Sequence, residues 1–196
     1  TEIYTLSLHD ALPILWTGTS DDNAYLPGAI ATMAGVLTRE SDVELVCAGC
    51  WRVDGDGNVI GPRYLKPPEM LYEGNCVGAC FMYRAATARR IGGYRPELFL
   101  AEDYDYWIRL SRQGRIRRLN RLLYRYAEHP GALYVRRYRQ VLSRTMAALR
   151  ANARDAEERR LFRQGMRHRL LTEAAMWRRA GRPGPACVAL GQWVMT

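Results

Sequence analysis

The hydrophobic pattern of the chain changes its period once, near residue 135. Before that point, short apolar runs predict strands at residues 43–48 and 76–83, and a helical pattern covers residues 102–113. After it, apolar residues recur at helical spacing: Tyr138, Val141, Leu142, Thr145, Met146 and Leu149, then Phe162, Met166, Leu170 and Ala174. Strands that alternate with helices, followed by helices alone, predict an α/β fold over residues 16–135 and an α-helical tail over residues 136–196.

Shorter sequence patterns predict the remaining turns, helices and strands of residues 16–135. The composition of residues 54–58 predicts a hairpin turn. Residues 85–91 form a short predicted helix that the following glycine pair ends, and short strands are expected at residues 116–119 and 122–126. A further helix is expected after residue 23. Its predicted apolar face consists of Ile30, Met33, Ala34 and Leu37.

Residues 1–15 differ in character from the rest of the chain. They have no initiator Met, no basic leader and an apolar stretch too short for a signal peptide, and they resemble translated adapter sequence. We therefore expect a non-native leader here and exclude it from the interpretation of the fold.

Charge is distributed unevenly along the chain, whose overall net charge is +9. Residues 1–108 have a net charge of −7, residues 109–135 of +6 and residues 136–196 of +10. An acidic half can hold a cation, and a basic half can meet anions. The alternative is an arginine-rich helical surface that simply faces solvent.

The five cysteines do not predict a metal site, although two pairs have spacing close to that of zinc ligands. Cys47 and Cys50 lie in one apolar strand-like run, and Cys76 and Cys80 lie in another, where cysteine behaves as a small buried apolar side chain. Cys187 makes the count odd, and an odd count without a secretory signal favours a reducing compartment.

Two acidic clusters carry most of the functional information. Residues 16–23 read W-T-G-T-S-D-D-N, and residues 101–109 read A-E-D-Y-D-Y-W-I-R. Adjacent carboxylates repel each other, so their place among apolar residues points to a cation or to proton transfer. The first cluster offers the hard oxygen ligands of a divalent metal site; alternatively, Asp22 or Asn23 caps the following helix. The second has the position of a general base on the first turn of a helix.

These segments resemble family 2 glycosyltransferases of the GT-A fold. The similarity covers about residues 16–131 and rests on motifs in the family's order: W-T-G-T-S-D-D-N-A-Y-L from residue 16, N-C-V-G-A-C-F-M-Y-R from residue 75, A-E-D-Y-D-Y-W-I-R-L from residue 101, and His129. The resemblance implies a Rossmann-like mixed sheet with flanking helices. It also implies that the family's nucleotide-binding first half should precede Trp16, so we expect a truncated catalytic domain that is inactive and poorly stable alone.

On the donor side, the resemblance implies that Ser20, Asp21 and Asp22 correspond to the family's Asp-x-Asp-type motif. There, carboxylates and Mn²⁺ or Mg²⁺ hold the diphosphate of the donor. His129 matches a histidine that completes the metal site or touches the diphosphate in several relatives. Arg109 is expected to pair with either a carboxylate or the diphosphate.

On the acceptor side, the resemblance implies that Asp103 is the catalytic base, which takes the proton of the acceptor hydroxyl as that oxygen attacks the anomeric carbon. Its place near a helix N-terminus is expected to keep it ionised. Glu102 is a competing candidate for this role. Asp105 is interpreted as a solvated or structural acid, because it is turned away along the helix.

Three more residues are assigned to acceptor binding by the same resemblance. Asn75 and Gly78 match the segment that lines the acceptor side, where Gly78 either permits close approach by a sugar or marks a strand bulge. Trp107 either stacks on an acceptor sugar or belongs to the hydrophobic core.

The prediction is an inverting, metal-dependent glycosyltransferase of the hexosyltransferase type. It would move a sugar from a nucleotide-sugar donor to a saccharide or lipid-linked acceptor, in cell-surface polysaccharide or glycan synthesis. The alternatives are a nucleotidyltransferase with paired Asp and Mg²⁺, and a non-catalytic basic adaptor at a membrane surface. The tail has few aromatic residues and no nucleic-acid motif, so nucleic acid is not an expected partner. The predicted location is cytoplasmic, with peripheral association at the inner face of an anionic cell membrane.

Overall fold

A computed structural model describes residues 14–129, 136–179 and 181 of the chain. The fold is α/β, with a mixed sheet and flanking helices, as the sequence predicts. The chain divides into two compact units that interleave along the sequence. The sheet unit contains the described residues up to Pro68, Cys76–Gly93 and Arg109–His129. The helical unit contains Glu69–Asn75, Tyr94–Ile108 and the described residues from 136 onward.

Six strands form the described sheet. They are Leu15–Trp16 (β1), Ala24–Tyr25 (β2), Val43–Val53 (β3), Val59–Arg63 (β4), Cys80–Arg84 (β5) and Arg115–Ala127 (β6). The strand order is β1-β5-β3-β6-β2, and β4 also pairs with β3. β3 and β6 run parallel, and the other pairs are antiparallel. The two longest strands therefore lie side by side in the middle of the sheet.

The core of the sheet unit forms between β3 and the first helix, Ala29–Arg39 (α1). Val46 of β3 has no exposed surface, and Met33 and Leu37 of α1 belong to the same buried cluster. The predicted apolar face of α1 is confirmed at these two positions. It is wrong at Ile30, which is 43% exposed, and Val36 is buried instead.

Three predicted strand boundaries are corrected by the pairing of the strands. β3 continues to Val53 instead of ending at residue 48, and β5 begins at Cys80 instead of residue 76. The strands expected at residues 116–119 and 122–126 are one strand, β6. Its register against β3 shifts on either side of Gly49, so a bulge rather than a turn interrupts the pattern there.

Two local turn predictions are confirmed. The hairpin between β3 and β4 is closed by the backbone N–H of Asp54, which donates to the carbonyl of Asn58 at 3.0 Å. The second helix, Ala85–Ile91 (α2), ends at Gly92, whose φ of 78° lies in the left-handed region that favours glycine.

The tail forms two helices, Tyr138–Asn152 (α4) and Ala156–Arg179 (α5), and the shorter Glu102–Ser111 (α3) precedes them in the chain. All ten apolar positions predicted for the tail are buried. The arginines of α4 and α5 are exposed, except the half-buried Arg169. The prediction of two amphipathic helices with outward arginines is therefore confirmed for the described residues.

Cysteine burial follows from the strands and the segment before β5. Cys47, Cys50, Cys76 and Cys80 are free thiols in buried positions, and burial raises the pKa of Cys80 to about 12. Cys187 lies outside the described residues. Within the described ranges, none of the helices has both the length and the apolar character that crossing a membrane requires.

Candidate functional site

The first acidic cluster forms a tight turn in the sheet unit. The backbone N–H of Asn23 donates to the carbonyl of Ser20 at 3.2 Å. The Ser20 hydroxyl and the Asn23 side-chain amide each donate to Oδ1 of Asp22 at 2.8 Å. The amide oxygen of Asn23 in turn accepts the backbone N–H of Ala127, also at 2.8 Å. The turn is therefore fastened to the end of β6.

His129 follows β6 and reaches this turn. Its Nε2 lies 3.5 Å from Oδ2 of Asp22, and the two side chains are 45% and 39% exposed. Asp21 is the neighbouring residue in the turn and is exposed. The structure thus brings together Asp22 and His129, two of the residues that the resemblance assigns to the metal and the diphosphate, although they come from opposite ends of the sheet unit's sequence.

The alternative reading of this cluster, a helix cap, is wrong. α1 begins at Ala29 after Gly28, which makes no side-chain capping bond. Asp22 and Asn23 lie five or more residues earlier in the chain. Their side chains are engaged with the turn, with His129 and with β6 instead.

The donors of this turn fit a hard divalent cation that is shared with a substrate. Among the residues that the structure describes, no group of three or more His, Cys, Asp or Glu side chains could enclose a metal by itself. Mg²⁺ in proteins is commonly held by one or two carboxylates together with substrate phosphates rather than by an all-protein cage. The carboxylates of Asp21 and Asp22 and the imidazole of His129 match that kind of incomplete ligand set.

The turn borders a group of charged and aromatic side chains that the sequence did not reveal. Glu128 forms ion pairs with Arg52 at 3.3 Å and with Arg63. The guanidinium of Arg63 lies 5.2 Å from the ring centroid of Tyr126. Burial raises the pKa of the Tyr126 hydroxyl, with Asp22 among the smaller contributions. Only the pairing of β3 with both β4 and β6 brings these residues together, so no local motif signals them.

The second acidic cluster begins α3 in the helical unit. Oδ1 of Asp103 accepts the backbone N–H of Tyr104 at 2.6 Å, and Oδ2 accepts the side-chain amide of Asn75 at 2.7 Å. Asn75 and Asp103, which the resemblance assigns to the acceptor side, are therefore joined by a hydrogen bond. Both donors stabilise the ionised carboxylate.

The pKa of Asp103 is nevertheless raised to about 6: burial is the largest cause, the neighbouring charge of Glu102 acts in the same direction, and the Tyr104 and Asn75 donors oppose the change. Burial thus acts against the ionisation that the place of Asp103 near the helix N-terminus is expected to favour. At pH 7 about nine in ten such groups are still ionised. A carboxylate with a pKa just below the working pH is well matched to a general base.

Asp105 has a structural role. It is fully buried, and its Oδ1 lies 3.0 Å from Nη1 of Arg95 and accepts the side-chain amide of Asn152 at 2.7 Å. The structural interpretation of this acid is confirmed, and the solvated interpretation is wrong.

Three further predicted ligand-binding residues have defined surroundings in the structure. Trp107 is fully buried, so its ring offers no face to a sugar and belongs to the core. Arg109 donates to the carbonyls of Ile91 and Gly93, each at 2.8 Å, and its pairing with a carboxylate or a diphosphate stays a prediction. Gly78 precedes β5 and has a φ of 69°, a left-handed backbone that favours glycine; its assignment to the acceptor side stays a prediction.

No protein-family model and no curated protein matches the chain.

Proposed function

We propose that the chain is part of an inverting, metal-dependent glycosyltransferase of the GT-A type, which moves a sugar from a nucleotide-sugar to a hydroxyl acceptor. The single observation that carries the proposal is the state of Asp103. A half-buried carboxylate with a pKa of about 6, held by the Asn75 amide, has the properties of a base that must accept a proton near neutral pH.

The donor side of the proposal rests on the turn that contains Asp22. Asp21, Asp22 and His129 would hold Mn²⁺ or Mg²⁺ together with the diphosphate of the donor, and Ser20 orients Asp22 through its hydroxyl. When bound, the cation supplies Lewis-acid stabilisation of the charge on the departing diphosphate.

The acceptor side of the proposal assigns the proton to Asp103. The acceptor hydroxyl oxygen forms a bond to the anomeric carbon, and the bond from that carbon to the diphosphate oxygen breaks with its electron pair. Oδ of Asp103 receives the hydroxyl proton, and Asn75 keeps the carboxylate oriented. Attack opposite the leaving group inverts the anomeric configuration.

Calorimetry with a nucleoside diphosphate tests the donor site. The affinity of the 196-residue chain for the diphosphate should rise at least about tenfold when Mn²⁺ is present, because carboxylates and phosphate share the cation. Asp22→Ala should remove this gain, and Asp56→Ala, an exposed acid in the β3–β4 turn, should keep it. Equal affinity with and without Mn²⁺ would contradict the proposal.

A second candidate function, a basic adaptor at an anionic membrane, is favoured by the surface of α5. Its exposed residues include Leu161 and Leu171, which are 43% and 45% exposed. Arginines such as Arg160, Arg167 and Arg178 are also exposed on this helix. Basic helices with exposed apolar side chains bind at membrane surfaces. An adaptor would bind anionic vesicles in a salt-sensitive way and show no effect of Mn²⁺ on nucleoside diphosphate binding. The two functions are compatible if the enzyme works at the inner face of the cell membrane.

A further inference from the structure

The segment that carries Asn75 lies against the last described helix. Within the helical unit, residues Glu69–Asn75, here called the base loop although its first five residues belong to a 3-10 helix, contact α5 at two points. The rings of Tyr72 and Phe162 lie 4.9 Å apart. Gly165 sits directly beside the backbone: a Cβ at this position would lie 2.7 Å from the carbonyl oxygen of Tyr72. A side chain at Gly165 would therefore have to displace the base loop.

A second contact lies one helical turn further along α5. A Cβ at Gly74, whose φ is 153°, would lie 2.9 Å from Nη1 of Arg169. Arg169 is fixed by an ion pair with Glu173 at 2.7 Å, and Glu173 accepts the hydroxyl of Tyr138. Gly74, the residue before Asn75, thus packs against the half-buried ion pair of Arg169 and Glu173.

The base loop is also anchored to α3. The hydroxyl of Tyr104 donates to the carbonyl of Leu71 at 2.6 Å in a buried bond. Because Tyr104 follows Asp103 in the helix, the loop and the base share this anchor. The Asn75 amide therefore meets Asp103 from a backbone that both α3 and α5 hold in place.

We propose that α5 is a positioning element for Asp103: by fixing the backbone of the base loop, Phe162 and Gly165 hold the Asn75 amide on the carboxylate. The catalytic meaning of this arrangement rests on the proposed function, whereas the structural coupling does not. The charged group that acts on Asp103 from its own helix is Glu102. On α5, the charged groups beside the loop are Arg169 and Glu173, which pair with each other.

The pKa of Asp103 reports on this coupling and can be followed by ¹³C NMR of its carboxyl carbon in the 196-residue chain. Asn75→Ala removes a donor to the carboxylate and should raise this pKa by about one, the size expected for a hydrogen bond to a charged group. Gly165→Val should raise it in the same direction, because it displaces the loop. Gln164→Val introduces the same side chain at the neighbouring exposed position and should leave the pKa unchanged.

The double variant Asn75→Ala/Gly165→Val decides whether the two effects share one path. Its pKa should equal that of Asn75→Ala alone, since the helix acts through Asn75. If Gly165→Val does not unfold cooperatively, the same test uses Phe162→Leu instead. This variant only loosens the ring contact with Tyr72. A pKa of Asp103 that is unchanged in Asn75→Ala or in the α5 variant, or that rises additively in the double variant, overturns the inference. Since no activity is measured, this result stands apart from the test of the proposed function.

Discussion

The carboxylates of Asp22 and Asp103 lie in contrasting surroundings, each within its own unit. Asp22 is 39% exposed, in a turn whose other side chains bond to it locally. Asp103 is half-buried, and its second donor comes from the separate base loop. Burial shifts the pKa of Asp103 to about 6. An exposed carboxylate can bind a cation that a phosphate also binds, whereas burial raises the pKa of a carboxylate toward the range where it accepts a proton. Under the proposed function, ligands would complete the site at Asp22, whereas the protein itself completes the surroundings of Asp103.

The largest expected effect is on transfer by Asp103→Asn. In any preparation of the chain that transfers sugar, this change should lower turnover by about 10² to 10⁴, the usual contribution of general base catalysis. Donor binding should remain nearly intact. Glu97→Gln removes an exposed carboxylate from the same unit and should have little effect. Turnover within a few-fold of the parent would transfer the role to Glu102, the other candidate.

The next effect is on metal-dependent binding. Asp21→Ala and Asp22→Ala should each weaken Mn²⁺-dependent binding of a nucleoside diphosphate by about tenfold or more, because carboxylates supply the charge that holds a hard cation. His129→Ala should weaken it less, since imidazole contributes one neutral ligand. His168→Ala, an exposed histidine on α5, is the matched control. If calorimetry finds the same Mn²⁺-dependent affinity in both aspartate variants as in the parent, the proposed metal site is wrong.

A smaller effect concerns stability and pH. The pKa of Asp103 is raised from 3.8 to about 6 in the folded chain. The folded state favours the protonated carboxyl of Asp103. The stability that this protonation contributes is therefore fully present below about pH 4 and is lost as the pH rises through about 6. Asp103→Asn, which stays neutral, should unfold with a free energy about 1–2 kcal/mol higher than the parent at pH 7.5. The two proteins should be close at pH 4. Denaturant melts at both pH values measure this difference, and an equal difference at both would contradict the raised pKa of Asp103.

The smallest effect is on membrane association. Replacing one exposed arginine of α5, such as Arg163→Gln, should weaken binding to anionic vesicles about fivefold at low salt, since each basic residue near such a surface contributes about 1 kcal/mol. Arg121→Gln on β6 has the same charge change on another exposed residue and serves as the control. Co-sedimentation that is absent at low salt would leave the tail as a solvated helical surface.

Local patterns predicted the tail and the turns, because each depends on residues close in sequence. The helical period alone places Phe162 and Leu170 in the core. The ends of β3 and the continuity of β6 depend on pairing between distant strands, so the pattern divided β6 where a bulge lies beside Gly49.

The candidate sites show the same division. The motifs identified Asp22, His129, Asn75 and Asp103, but which of them touch follows only from the fold. The sequence could not exclude a solvated Asp105, because its amide partner, Asn152, comes from the distant helix α4. No sequence motif predicts the packing of the base loop on α5, since Gly165, where the two meet, has no side chain.

Paramagnetic broadening by Mn²⁺ tests the donor-side turn most directly. In the isotope-labelled 196-residue chain, signals of Asp21, Asp22 and His129 should broaden at a lower Mn²⁺ concentration when a nucleoside diphosphate is present, because the phosphate completes the ligand set. The half-buried Asp54 and the exposed Asp56, both in the β3–β4 turn, provide an internal reference for nonspecific binding. The account predicts selective, diphosphate-dependent broadening at the turn. Equal broadening at both acidic turns, with no effect of the diphosphate, would contradict it.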